Sequence, residues 1–199
     1  AHNTKKTKMT KYIIIGIVAI VAVGILISCT NKKKKGTAEK EQQTENTAEQ
    51  NPYMDMRNMA FTAKADQIGL ENIADDKVYG LITEMSMNPG SASVISFLTG
   101  DASLYLSSGG GFIGAGQHEE VREMVAKKVD GFQKYLSQAE KISEPKLPED
   151  GKVNFNFLTK NGIYSVTENM ADLENGKSKL AELFVEVNEV ITEIRLKSN

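Results

Sequence analysis

The chain has 199 residues and a formal net charge of −2 at pH 7. Residues 1–35 hold eight lysines and no acidic residue, so residues 36–199 carry 16 Lys or Arg against 26 Asp or Glu. This acidic balance disfavours nucleic acid as a partner, because binding a polyanion requires clustered positive charge. Cys29 is the only cysteine, which excludes a disulfide within the chain, so the folded part must be stabilised by an apolar core.

An uncharged apolar run covers residues 12–28, with four lysines before it and four after it. A basic start followed by such a run is typical of an export signal or a membrane anchor. The 17 residues of the run would span about 25 Å as a helix, slightly less than the roughly 30 Å of a hydrocarbon core. Residues 1–28 are therefore predicted to be a signal peptide or membrane anchor.

The end of this run, Leu26-Ile27-Ser28-Cys29, resembles the lipobox of bacterial lipoprotein signals. The resemblance implies that the signal is cleaved before Cys29 and that the Cys29 thiol becomes diacylated. Two or more acyl chains anchor a protein stably, and Lys32–Lys35 would add attraction to anionic headgroups. The expected location is a membrane of the bacterial cell envelope, with the domain outside the cytoplasm. The alternative is a plain transmembrane helix in which Cys29 has no role.

The residues after Cys29 are predicted to form a tether. Residues 30–52 contain no large apolar side chain to bury, which is typical of a disordered segment. Residues 29–56 are accordingly predicted to be the lipid-attachment cysteine and a disordered tether, and residues 57–199 a single globular domain.

The first half of the domain is predicted to contain a helix, three strands and a second helix. Turn signals at Asn88-Pro89-Gly90 and Thr99-Gly100-Asp101 separate the three strand-like runs. Apolar residues at helical spacing predict the second helix, which Pro145 and Pro148 end. The predicted bounds are helix 57–70, strands 78–87, 93–98 and 102–107, and helix 118–142.

The second half is predicted to contain a hairpin and a long helix. Strands at 153–158 and 163–166 flank Lys160-Asn161-Gly162, a strong hairpin signal. The final helix runs from Asn169 to Leu196, with an interruption expected at Asn175-Gly176. Its apolar residues recur at intervals of seven, which favours either a helix lying across a sheet or a coiled-coil dimer. The first interpretation is favoured, because the repeat covers only three heptads.

The element order is then α-β-β-β-α-β-β-α. Hairpin-length connections favour antiparallel pairing, so the predicted fold class is α+β: a two-layer domain with an antiparallel five-stranded sheet and helices on one face. This order over residues 57–196 resembles the secretion-chaperone-like fold. The resemblance implies a domain that is typically dimeric and non-enzymatic.

A glycine-rich stretch at residues 109–116 is the most unusual local sequence. It matches the G-x-G-x-x-G pattern at Gly109, Gly111 and Gly114, and free backbone N–H groups before a helix can hold a phosphate. Two observations argue against a nucleotide site. The preceding strand belongs to a hairpin series, and Glu119 and Glu120 would repel an anion at the helix start. The favoured interpretation is a flexible crossover, with a ligand-binding loop as the alternative.

His118 is the only histidine in the domain, and it stands next to Glu119 and Glu120. No second histidine and no HExxH motif accompany it, so a surface residue is favoured over a metal ligand or an acid–base group. The sequence therefore predicts no catalytic residue, no metal and no cofactor. It favours a non-enzymatic interaction domain whose partner is another protein or a second copy. The alternative is a small-molecule or nucleotide-binding domain that uses Gly109, Gly111, Gly114 and His118.

Overall fold

The computed structural model describes residues 52–197. The predictions for the signal, for Cys29 and for residues 30–51 of the tether lie outside the described residues. The described part is an α+β domain with an antiparallel sheet, which confirms the fold class at this level.

The sheet contains seven strands rather than the five predicted, in the order β4-β3-β2-β1-β6-β7-β5. The strands are β1 (Gly80–Ser86), β2 (Ser91–Phe97), β3 (Ala102–Leu106), β4 (Gly111–Phe112), β5 (Glu140–Ile142), β6 (Lys152–Thr159) and β7 (Gly162–Asn169). The two additional strands, β4 and β5, are the edges of the sheet. They are too short to show a period in the sequence, and they form because β3 and β7 offer unpaired backbone groups.

Four α-helices accompany the sheet within residues 52–197: α1 (Pro52–Thr62), α2 (Glu119–Gly131), α3 (Met170–Glu174) and α4 (Ala181–Leu196). The expected interruption near Asn175-Gly176 is confirmed, since α3 ends at Glu174 and Gly176 has a φ of +68°. The apolar stripe of α4 is buried against the sheet, as expected for a helix lying across it. The hairpin at residues 160–162 is also confirmed, because Thr159 pairs with Gly162.

The predicted helix 118–142 is too long. α2 ends at Gly131, the chain continues as a 3₁₀ helix over Phe132–Gln138, and residues 140–142 form β5. Phe132 and Tyr135 remain buried along this path, so the apolar spacing that predicted a helix reflects burial instead.

The prediction that the helices share one face of the sheet is wrong. Side chains alternate between the two faces of a strand, and different elements pack against the two faces of this sheet. Face A, which carries Leu81, Met85, Val94 and Phe155, packs against α2 and α4. Face B, which carries Ile82, Glu84, Ser93, Ile95, Asn156 and Leu158, packs against α1 and residues 63–79.

The domain also begins earlier than predicted. α1 starts at Pro52 rather than at residue 57, and Tyr53 is only 3% exposed. Residues 52–56 therefore belong to the domain and not to the tether. The cause is tertiary, because the Tyr53 hydroxyl reaches Ser93 on face B at 2.9 Å.

Candidate functional site

The glycine-rich stretch forms the crossover from β3 to α2. Gly109 lies in the turn before β4, Gly111 lies in β4, Gly114 precedes the 3₁₀ helix Ala115–Gln117, and His118 directly precedes α2. A Cβ atom at Gly111 would stand 2.2 Å from the carbonyl oxygen of Leu104. Glycine at position 111 thus allows β4 to approach β3, which is a structural requirement.

Several backbone N–H groups of this crossover already have acceptors within the chain. Gly109 N donates to Leu106 O at 3.0 Å, and Gly114 N donates to the hydroxyl oxygen of Ser103 at 3.3 Å. His118 N donates to Ala115 O at 3.1 Å. A phosphate would have to displace these acceptors, so the hydrogen bonds favour a structural crossover over a preformed anion site.

His118 is exposed at the start of α2, and its side chain makes no capping hydrogen bond. Glu119 and Glu120 occupy the first turn of the helix. A hydrogen bond from Lys197 lowers the pKa of Glu120, so one of these two carboxylates is already paired. Within residues 52–197, no group of three or more His, Cys, Asp or Glu side chains is placed to hold a metal ion.

A buried polar cluster on face B is the most unusual chemical feature of the domain. Glu84, in the middle of β1, is 0% exposed, and Arg57 of α1 is 4% exposed. Arg57 Nε donates to Glu84 Oε1 at 2.6 Å, and Arg57 Nη2 donates to Glu84 Oε2 at 2.9 Å. This two-point geometry is the strongest arrangement of an arginine with a carboxylate.

Two further donors complete the shell of the Glu84 carboxylate. Ser93 Oγ donates to Oε1 at 3.3 Å, and Asn156 Nδ2 approaches Oε2 at 3.5 Å. Since Ser93 donates to Glu84, its oxygen accepts from the Tyr53 hydroxyl at 2.9 Å. Burial raises the pKa of Tyr53, which keeps this hydroxyl a donor. We call Tyr53, Arg57, Glu84, Ser93 and Asn156 the face B cluster.

The face B cluster is built to position α1 rather than to react. The Glu84 carboxylate is fully buried and paired at two points with Arg57, which favours a structural role over acid–base chemistry. The Arg57 guanidinium is also engaged elsewhere, because Nη2 donates to Pro145 O at 3.1 Å and Cζ lies 4.7 Å from the centre of the Phe61 ring.

The face B cluster is not among the predictions from the sequence, although the sequence contains two signals for it. Glu84 interrupts the otherwise uncharged run of β1, and asparagines alternate with apolar residues in Val153-Asn154-Phe155-Asn156-Phe157 of β6. Alternation of this kind marks a second, polar face of a buried sheet. Arg57 could not be assigned to Glu84, because the two residues are 27 positions apart.

An open cleft of about 510 Å³ lies beside residues 63–71 and the turn between β6 and β7. Its lining has mixed charge: Lys64, Asp66, Glu71, Tyr79 and Lys160 contribute, with Ala65 and Thr159. Lys160 Nζ donates to the carbonyl oxygens of Glu71 and Ile73 at 2.6 and 2.8 Å. Lys160 therefore holds the loop in place, and the cleft offers no concentrated charge of either sign.

No helix within residues 52–197 has the length and apolar character needed to cross a membrane. Comparisons of the chain with protein-family models, with curated proteins and with solved structures found no match.

Proposed function

We propose that the chain is a membrane-anchored bacterial lipoprotein that displays a non-enzymatic α+β interaction domain in the cell envelope. The observation that carries the proposal is the sequence Leu26-Ile27-Ser28-Cys29 at the end of an apolar run flanked by lysines. In this proposal Cys29 bears the lipid, residues 30–51 are the tether, and the domain begins at Pro52.

The chemistry of the described residues supports an interaction role. The most deeply buried carboxylate among residues 52–197, that of Glu84, is paired at two points with Arg57 of its own chain. In the glycine-rich crossover, the N–H groups of Gly109, Gly114 and His118 donate to acceptors of the same chain. The partner is a protein or a second copy, because the acidic domain would repel a polyanion such as nucleic acid.

Metabolic labelling with palmitate tests the anchor. We expect the wild-type protein to take up label and to be cleaved before Cys29. Cys29→Ser should abolish the label and leave a larger, uncleaved precursor. Ser28→Ala is the matched control, because it keeps a small residue before the cysteine and should still be labelled. If the wild type takes up no label and is never cleaved, residues 12–28 are a transmembrane anchor and the lipoprotein proposal is wrong.

Affinity capture tests the interaction role. The lipidated protein, crosslinked in its native membrane and purified, should bring down one predominant protein or an untagged copy of itself. Cys29→Ser, expressed at the same level, is the control: crosslinked species recovered equally with this variant do not depend on the lipid anchor. Recovery of the chain without any crosslinked species would contradict a display function.

A further inference from the structure

We propose that two copies of this chain join at the β4 edge of the sheet, by antiparallel pairing of β4 with β4 of the second copy. This proposal names the partner of the interaction domain and therefore rests on the proposed function. It follows from the outward-facing backbone groups of β4, from the absence of charge along this edge, and from the shape of its side chains.

The backbone of β4 can accept another strand. Within residues 52–197, β4 is a terminal strand of the sheet and has β3 as its neighbour on one side. Leu106 N donates to Gly110 O at 3.2 Å, and hydrogen-bonded pairs alternate along an antiparallel ladder. Gly111, which follows Gly110, therefore directs its N–H and C=O away from β3.

Ile113 extends this edge beyond β4. The chain still runs beside β3 at this point, because Gly114 N donates to the hydroxyl oxygen of Ser103 at 3.3 Å. By the same two-residue period, the backbone groups of Ile113 face outward like those of Gly111. The Ile113 side chain is 65% exposed, although isoleucine is among the residues most often buried in proteins. The edge thus combines outward-facing backbone groups with an exposed apolar side chain.

The two edges of the sheet differ in their protection against pairing. Edge strands of natural proteins are commonly protected by charged side chains and by prolines. β5 has this protection, because Glu140 and Lys141 are exposed and Pro145 and Pro148 follow them. Around β4, residues 102–118 contain no Lys, Arg, Asp or Glu and no proline. β4 is therefore the edge at which the domain is suited to accept a further strand.

The charge of the chain favours a second copy as the occupant. Residues 36–199 carry 16 Lys or Arg against 26 Asp or Glu. Two copies repel each other through this net charge, so an uncharged edge is the surface at which they meet with the least repulsion. A basic partner would instead be attracted to the acidic surfaces, because its charge has no counterpart at β4.

The side chains of this edge fit a two-fold arrangement. Antiparallel pairing that places Ile113 opposite Gly111 of the second copy also places Gly111 opposite the second Ile113. Since glycine has no side chain, each Ile113 has room to lie against the neighbouring backbone. Phe112, which is half-buried, then faces Phe112 of the second copy on the two-fold axis. Aromatic pairs directly opposite each other stabilise antiparallel strands.

Pairing over so short a strand is weak in dilute solution, and the proposed anchor compensates for this. Copies that share one membrane through the tether of residues 30–51 would meet at an effective concentration roughly in the millimolar range. We therefore expect pairing at the membrane and largely monomeric chains in dilute detergent.

Cysteine crosslinking on vesicles measures the contact. The full chain carrying Cys29→Ser is reconstituted into phosphatidylcholine vesicles, where the apolar run of residues 12–28 holds it in the membrane. It receives either Ile113→Cys or, as the matched control, Leu196→Cys, because Leu196 is 62% exposed but ends α4. Diagonal neighbours on antiparallel strands lie about 7–8 Å apart, a distance that a short bismaleimide spans. We expect at least about tenfold more crosslinked dimer from position 113 than from position 196.

Equal yields at the two positions would overturn the proposal, because they would reflect crowding on the vesicle alone. A photoreactive residue at position 113 of the native chain in cells should likewise crosslink to a second copy. If it crosslinks mainly to a different protein, the edge has another occupant and the second-copy proposal is wrong. Because the vesicle experiment uses residues 12–28 as the anchor, a failure of the lipidation proposal does not alter its result.

Hydrogen exchange provides a second measurement. In the same vesicles, exchange in a peptide covering residues 109–114 should slow about tenfold as the protein-to-lipid ratio rises, while the amides of β5 stay unchanged. Ile113→Lys, which places a charge on the edge, should abolish the slowing. Exchange at residues 109–114 that does not depend on the protein-to-lipid ratio would also overturn the pairing.

Discussion

Replacing Arg57 with methionine removes one partner of the buried ion pair and keeps the apolar stem of the side chain. Glu84, 0% exposed, would retain only the two longer contacts, to Ser93 at 3.3 Å and to Asn156 at 3.5 Å. Breaking such a pair costs about 3–5 kcal/mol. We expect the lower end, about 3 kcal/mol, because Ser93 and Asn156 remain as donors near the carboxylate.

A double-mutant cycle isolates the pair. Glu84→Met should cost a similar amount, because it leaves the guanidinium of Arg57 unpaired, whereas the double variant should lie within about 1 kcal/mol of the wild type. Thermal unfolding of the full chain in detergent, followed by circular dichroism, is the assay. A loss of about 3 kcal/mol corresponds to a fall in Tm of roughly 6–12 °C for a domain of this size.

An exposed ion pair of similar length serves as the control. Lys77 Nζ lies 2.7 Å from Asp130 Oδ1, but the Asp130 side chain is 68% exposed. Asp130→Ala should therefore cost about 1 kcal/mol or less. The reasoning is refuted if Arg57→Met is as mild as Asp130→Ala, or if the two losses in the cycle simply add, since either result would mean that Arg57 and Glu84 are not coupled.

Three further predictions concern the crossover and the end of α4. Gly111→Ala should lower the Tm, because its Cβ would stand 2.2 Å from a carbonyl oxygen of β3, whereas Gly131→Ala, with nothing within 4 Å, should leave the Tm unchanged or raise it. The pKa of Glu120 should lie below 4.5 in an NMR titration, and Lys197→Met should raise it. The stability from this pair is therefore present at neutral pH and lost as the pH falls through the lowered pKa of Glu120. Titration with nucleotides should not shift the amide signals of Gly111 and Gly114; a saturable micromolar shift that Gly114→Val removes would instead make ligand binding the leading function.

Local signals in the sequence were sufficient where neighbouring residues determine the conformation. The hairpin between β6 and β7 follows from Lys160-Asn161-Gly162, because Gly162 takes a φ of +125° that other residues avoid. The break between α3 and α4 follows in the same way from Gly176. The apolar stripe of α4 correctly indicated a helix that covers a sheet.

Predictions failed where a distant segment determines the outcome. Residues 140–142 carry apolar spacing that continues a helix, but β7 supplies a strand partner for them. β4 consists of two residues, so no pattern could predict it. Among the candidate site residues, Gly111 could be recognised as unusual, but only its distance to Leu104 shows that strand pairing requires a glycine there.

The sequence by itself determined the α+β class, the antiparallel connections, the lipobox resemblance at Cys29 and the acidic charge of residues 36–199, because each depends on neighbouring residues or on composition. Only the tertiary structure decided that α1 covers face B and that Arg57 meets Glu84. A buried carboxylate needs hydrogen-bond donors, but many residue types can supply them. Which residue becomes the partner of Glu84 therefore depends on how the whole domain folds.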